Sequence, residues 1–298
     1  MWEPGPGWQR LPGGMGTSTL GVWRDGDRVI KRIQAPLPGD PGELSDPMHF
    51  AWWRRAADVA LSGVVDGTTG LRAVVTMAVD EDDTGITLCH EHVEASALPG
   101  PFLARALGRF GDNPIPDVAW LARDQLAARL ARVDRRGGWT TLARTTVADV
   151  ADRLWQLRAV HLERIAALPL VLQHGDPVPG NLLQRRGDDV VAIDWSTLGA
   201  GPVGADLGYL ALSAREDFPV LAEAYADGLP VGLATPEQVV LGASVNAVYT
   251  AFTRADWALA RVADGPGALA GKYRHPSVAP YLRSVQRLFG QVEALLQV

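Results

Sequence analysis

The sequence predicts an α+β protein with two lobes: a small β-rich lobe over residues 1–94 and a larger, mostly helical lobe over residues 95–298. Three observations predict it. Up to residue 93 the apolar residues come in short runs separated by Gly, Pro and Asp turns. From residue 97 onward they recur at three- and four-residue spacing, the period of a helix with one buried face. The segment between, Ala95-Ser96-Ala97-Leu98-Pro99-Gly100, belongs to neither pattern and reads as a hinge.

The β-rich part begins with a short run, Trp8 to Leu11, followed by Pro12-Gly13-Gly14-Met15-Gly16-Thr17-Ser18. Thr19 to Arg24 reads as a strand, Asp25-Gly26-Asp27 as a hairpin turn, and Arg28 to Ile33 as the returning strand. Glycines let a backbone approach a phosphate closely, and its N–H groups can cradle the anion. Gly14, Gly16, Thr17 and Ser18 are therefore candidate nucleotide contacts, with Lys31 on the next strand as the phosphate-bracing cation. This is not a Walker A loop, because no Gly-Lys-Ser/Thr follows the glycines. Residues 35–47 read as a loop and 47–61 as a helix. Leu71–Val79 and Ile86–Val93 complete an expected sheet of five strands, joined by the acidic turn Asp80 to Gly85. His90 and His92 share a strand face, but two such ligands are too few to specify a metal site.

In the second part, helices are expected over 101–110, 117–133, 147–168, 236–262 and 280–296. Thr235-Pro236-Glu237 is a helix start: a capping hydroxyl, a proline at the first helical position, then an early acid. Composition narrows the function classes. No apolar run reaches the roughly 18 residues of a membrane span, and the N-terminus lacks a basic start with an apolar core. A single cysteine, Cys89, excludes an internal disulfide, so a reducing cytoplasmic setting is expected. The net charge of -6 argues against a nucleic-acid partner and is compatible with a cationic substrate, as with a neutral one.

One stretch interrupts the helical pattern. Leu172 to Asp194 reads LQHGDPVPGNLLQRRGDDVVAID. Phosphoryl transfer to an alcohol needs a carboxylate that orients the hydroxyl and accepts its proton, and oxygen ligands for the Mg²⁺ that neutralises the phosphates. Asp176 sits in a tight turn, Asn181 follows it, and Asp194 ends the apolar run Val190-Val191-Ala192-Ile193. In chain order they fit the catalytic carboxylate and the two metal ligands.

With the glycine loop and Lys31 ahead of it, this stretch resembles the aminoglycoside phosphotransferase and choline kinase family, whose fold is protein-kinase-like. The resemblance runs from about Gly13 to about residue 262 and is most specific at His174-Gly175-Asp176-Pro177-Val178-Pro179-Gly180-Asn181 and Ile193-Asp194-Trp195. It implies Asp176 as catalytic base, Asn181 and Asp194 as Mg²⁺ ligands, and His174 as a brace of the catalytic loop. It implies ATP, or GTP, as the nucleotide, with the Glu91 carbonyl and the Val93 N–H meeting the base. Asp206 resembles an aspartate that stabilises the helical lobe. Only eleven residues separate Asp194 from Asp206, too short for a protein kinase's activation segment, so a small hydroxylated acceptor is expected, an antibiotic or a metabolite. Trp195, Glu216, Asp217, Asp256 and Trp257 are candidates to line its pocket, and the acids among them would suit a cationic acceptor.

The sequence departs from the family at one place. The strand lysine is paired there with a glutamate on the small lobe's helix, and Ala56 stands at the corresponding position. Glu43 and Asp46, in the preceding loop, are the alternative partners. The departure keeps a second reading open, a pseudokinase-like protein that binds a nucleotide or ligand without transferring phosphate. A housekeeping sugar or amino-alcohol kinase is a third.

Overall fold

A computed structural model describes residues 2–12, 18–142, 145–263, 275–276 and 278–297. Strands β1 (Gln9–Arg10), β2 (Thr19–Asp25) and β3 (Arg28–Gln34) lead to helix α1 (Arg55–Ser62). Strand β4 (Leu71–Ala73) follows, then β5 (Thr76–Asp82) and β6 (Gly85–Glu91). The N-terminal sheet is antiparallel, in the order β1-β2-β3-β6-β5. Its β2–β3 hairpin closes at Gly26, where φ is 58°, a conformation that suits glycine. Ile33, Ile86 and Leu88 project from one face of the sheet onto Ala56 and Ala57 of α1 and form a small separate core.

Two of the expected elements end elsewhere. The single strand expected over 71–79 is two strands, because Leu71–Ala73 leaves the N-terminal sheet and pairs in parallel with residues 190–192. The helix expected over 47–61 starts only at Arg55. The fully buried Arg55 guanidinium explains the late start, since it takes the carbonyls of Pro47, His49 and Phe50 that a helix would have used.

The helical part holds α2 (Gly100–Gly111), α3 (Gln125–Asp134) and α4 (Ala148–Ala166). Next come β7 (Leu170–Gln173), β8 (Leu182–Arg186), β9 (Asp189–Ala192) and β10 (Gly199–Pro202). Helices α5 (Ala205–Leu210), α6 (Phe218–Ala226), α7 (Pro236–Ala263), α8 (Ala279–Arg287) and α9 (Phe289–Leu296) complete it. The helix expected over 117–133 begins only at Gln125. Before it Ala122 bridges to Gly199, and Asp124 turns the chain at φ 47°. The last expected helix is two, α8 and α9. The large core gathers around α7, where Val245, Ala247, Val248, Tyr249, Ala251 and Phe252 are all fully buried. A helix buried on successive residues lies inside the lobe rather than on it. Among the described residues no helix is long and apolar enough to cross a membrane.

Candidate active site

Strand β7 delivers the chain into the turn His174-Gly175-Asp176, and every side of that turn is held. The buried Asp206 carboxylate, at the start of α5, accepts the backbone N–H of His174 at 2.7 Å and of Gly175 at 2.9 Å. Burial pushes the Asp206 pKa up, against the opposing pull of His174 and these two N–H groups. Thr197 Oγ1 donates to the His174 carbonyl at 3.0 Å, and Arg129 Nη2 to the Gly175 carbonyl at 3.0 Å. Gly175 has φ 81°, and a Cβ there would lie 2.5 Å from the Thr197 carbonyl, so glycine is required. The fully buried His174 ring accepts the Asp176 N–H at Nδ1 (3.3 Å), which makes Nε2 the donor to the Ile193 carbonyl at 2.9 Å. That bond ties the Asp176 turn to the run that ends in Asp194.

Asp176 is held to the next expected site residue directly. Asn181 Nδ2 donates to the Asp176 carbonyl at 2.9 Å and to Oδ2 at 3.3 Å. The other carboxylate oxygen, Oδ1, is shielded from solvent and has no hydrogen-bond partner among the described residues. An unpaired buried acceptor is costly, and such atoms concentrate where a reaction needs them.

Asp194 adopts φ 61° and ψ 59°, a left-handed conformation that few non-glycine residues take. Two donors hold its Oδ1 in place: Lys31 Nζ at 2.7 Å, across 163 residues of sequence, and Ser196 Oγ at 2.9 Å. Burial pushes the Asp194 carboxyl up, but the Lys31 charge and these hydrogen bonds outweigh it and hold the pKa at about 2. Asp194 and Lys31 are thus a charged pair at neutral pH.

Lys31 has no acid partner on α1. Ala56 is buried in the small apolar core. Asp58 is occupied by Arg54 and the Trp52 indole. Glu43, an expected alternative, is bound by Arg132 and Arg135, each at 2.5 Å. Asp46, the other, caps the Met48 N–H.

The remaining expected residues divide. Gly14, Gly16 and Thr17 lie outside the described residues. Ser18 enters β2, its carbonyl accepting the Gln34 N–H at 2.7 Å. Glu91 ends β6 with its N–H on the Val75 carbonyl at 3.0 Å, and half-buried Val93 follows in the link between the lobes. Most of the acceptor-pocket candidates have partners within the fold. Trp195 is buried between Phe110 and His174. Glu216 accepts the Gly100 N–H at the head of α2, and buried Asp256 is bound by Thr141. Asp217 is exposed ahead of α6, and Trp257 lies under the Arg261 guanidinium.

Residues that no local motif announced stand beside Asp176. Tyr209 of α5 is buried, and its phenol is pushed up to about 12 by burial and then by the Asp176 charge. Arg254 of α7 donates to the Tyr209 hydroxyl and places Nη2 3.8 Å from Asp176 Oδ1. Arg129 and Arg254 both lie over the Tyr209 ring, 5.2 and 5.6 Å from its centre. The one available signal for Arg254 was an arginine inside a mostly apolar helical run.

Among the described residues no three His, Cys, Asp or Glu side chains form a metal-ligating cluster. Asn181 Oδ1 and Asp194 Oδ2 accept no protein hydrogen bond among those residues, and hard oxygen donors of this kind fit Mg²⁺.

The arrangement has relatives. A model of the phosphotransferase enzyme family matches residues 15–238. No curated protein sequence matches the chain. Among solved structures, a choline/ethanolamine kinase family protein from Mesorhizobium loti superposes with a TM-score of 0.61 at 18% identity, over 98% of this chain and 92% of that one. Choline kinase LicA from Streptococcus pneumoniae gives 0.58 at 14% identity, over 95% and 93%. An aminoglycoside phosphotransferase from Streptomyces rimosus, in complex with ADP and streptomycin, gives 0.53 at 18% identity, over 81% and 92%.

Proposed function

Since the chain belongs to the phosphotransferase enzyme family, we propose that it moves the γ-phosphoryl group of ATP or GTP, with Mg²⁺, onto a hydroxyl of a small molecule. The observation that carries this reading is the 2.7 Å contact between Lys31 and Asp194. It brings a cation of the N-terminal sheet against a carboxylate of the helical part, beside the Asp176–Asn181 pair. A triphosphate held between them meets Lys31 on one side and the oxygen ligands on the other.

In the proposed reaction the acceptor oxygen attacks the γ-phosphorus. The bond from that phosphorus to the β–γ bridging oxygen breaks, and its electron pair leaves with the nucleoside diphosphate. The hydroxyl proton passes to Asp176 Oδ1, the carboxylate oxygen with no other partner. Asn181 fixes the carboxylate's orientation through Oδ2. Asn181 and Asp194 would hold Mg²⁺, which when bound neutralises phosphate charge. Lys31 keeps Asp194 ionised for that duty.

Exchange of Asp176 for Asn is the direct test. Turnover is expected to fall by about 10²–10⁴-fold while Mg²⁺·ADP binding, read by calorimetry, is retained. Unchanged turnover removes Asp176 from the chemistry. The lack of an α1 acid on Lys31 favours one competing reading, a binding protein without transfer, and phosphorylation of any acceptor dismisses it.

A further inference from the structure

The family fold leaves the acceptor open, and the side chains around Asp176 narrow it. Arg254 stands beside Asp176 Oδ1, the oxygen to which an acceptor would present its hydroxyl. Its Nη2 is 3.8 Å from that oxygen, beyond hydrogen-bond length, and its side chain is 36% exposed. Among the described residues the guanidinium donates to the Tyr209 hydroxyl alone, although it carries five N–H donors. The neighbouring groups hold it charged, with its pKa raised by Tyr209 first and then, against burial, by Asp176.

Of the acids that would welcome a cation, Asp217 is exposed ahead of α6, and the buried or half-buried ones are engaged elsewhere. Glu216 holds the head of α2, Asp256 is buried on Thr141, and Asp206 is buried under the His174 turn. Arg129, the second guanidinium on the Tyr209 ring, adds positive charge near Arg254. A cationic acceptor entering here meets Arg254 first and is repelled. An acceptor with an oxyanion beside its hydroxyl gains a charge-assisted hydrogen bond, two if the group is bidentate. The same contact orients the hydroxyl toward Oδ1.

We propose that Arg254 is the acceptor-recognition residue, and that the acceptor carries an oxyanion, a carboxylate or a phosphate, close to the hydroxyl that is phosphorylated. Tyr209 positions the guanidinium, and the ion pair with the acceptor replaces the long contact to Asp176. This inference rests on the phosphotransferase reading, and the experiment separates the two.

The full-length protein with ATP and Mg²⁺ is offered four acceptor panels: hydroxy acids, sugar phosphates, uncharged sugars and nucleosides, and amino alcohols with aminoglycosides. A mass gain of one phosphoryl group reports transfer. The best acceptor is expected in one of the first two panels, with kcat/KM about 10²-fold above the amino-alcohol panel. Which of the two responds identifies the oxyanion. On that acceptor R254Q is expected to lose about 10²-fold, mainly as a raised KM, and R254K to recover part of the loss. A best acceptor that is cationic or uncharged overturns the inference and leaves the phosphotransferase reading standing. So does an equal R254Q loss on acceptors with and without the oxyanion. No transfer in any panel, with Mg²⁺·ADP bound, overturns the phosphotransferase reading and the inference with it. The wild-type panels decide the matter even if R254Q fails to fold.

Discussion

The turn that carries Asp176 and the strand that carries Lys31 face each other across the site but are fixed in opposite ways. The turn is pinned locally and from outside: Asp206, Thr197, Arg129 and His174 each bond its backbone. Lys31 rides on a strand of a small sheet, and among the described residues its one side-chain partner is Asp194 on the far side. No acid of α1 reaches it. The Asp176 side is therefore pre-organised by the protein, whereas the Lys31 side borrows its order from across the site. In the proposed reaction, rigidity falls where bonds change and dependence where phosphates arrive.

Three measurements can break or sharpen that contrast. The largest effect is expected at Asp206. D206A leaves the buried N–H groups of His174 and Gly175 unpaired, so a loss of about 4 kcal/mol in denaturant unfolding is expected. A loss below about 1 kcal/mol would mean that the turn holds itself. Next comes R55M, which strips donors from carbonyls of Pro47, His49, Phe50, Trp120 and Ser196. It is expected to cost about 3 kcal/mol and to weaken Mg²⁺·ADP binding, because α1 and the turn after Asp194 loosen together. Retained nucleotide affinity would separate α1 from the site.

The smallest effect is a pH dependence on the strand side. His90 on β6 is pushed down to about 4, first by burial and then by the Lys31 charge. The unfolded histidine takes up a proton near pH 6.5 that the folded one refuses until about pH 4. Stability is therefore lost as pH falls through that window. H90Q should flatten that slope in melting curves recorded from pH 7 to pH 4. Parallel curves for the two proteins would show that His90 titrates normally.

Local motifs made the turn readable from sequence. His174, Asp176, Asn181 and Asp194 lie within 21 residues and converge because short turns and one hairpin connect them. The N-terminal antiparallel sheet was legible for the same reason, through alternation and its hairpin signal. What sequence did not reveal depends on distant pairing. Leu71–Ala73 has the composition of its neighbours in the N-terminal sheet, and only its partner at 190–192 shows that it belongs elsewhere. Arg55 reads as an ordinary surface arginine until carbonyls from five positions surround it. Arg254 lies 78 residues beyond Asp176, in a helix whose pattern announces only burial. The donors that hold Glu216 and Asp256 were equally hidden, because an acid's charge is visible in sequence and its hydrogen-bond donor is not.

Arg55 also bears on whether the two lobes can be taken apart. Burial pushes its pKa down to about 10, so at neutral pH it remains a cation with backbone carbonyls for company. Two of those carbonyls, Trp120 and Ser196, belong to the helical part. A fragment cut at residue 94 would carry the helix, the sheet and the arginine without two of the oxygens that neutralise its hydrogen-bonding demand. It would also strand Leu71–Ala73 with no neighbour to pair with. The link at 95–100 is a place where the chain changes pattern, but not a place where it can be cut. The N-terminal lobe is expected to express as a soluble unit only when the rest of the chain is supplied, in cis or as a complementing fragment.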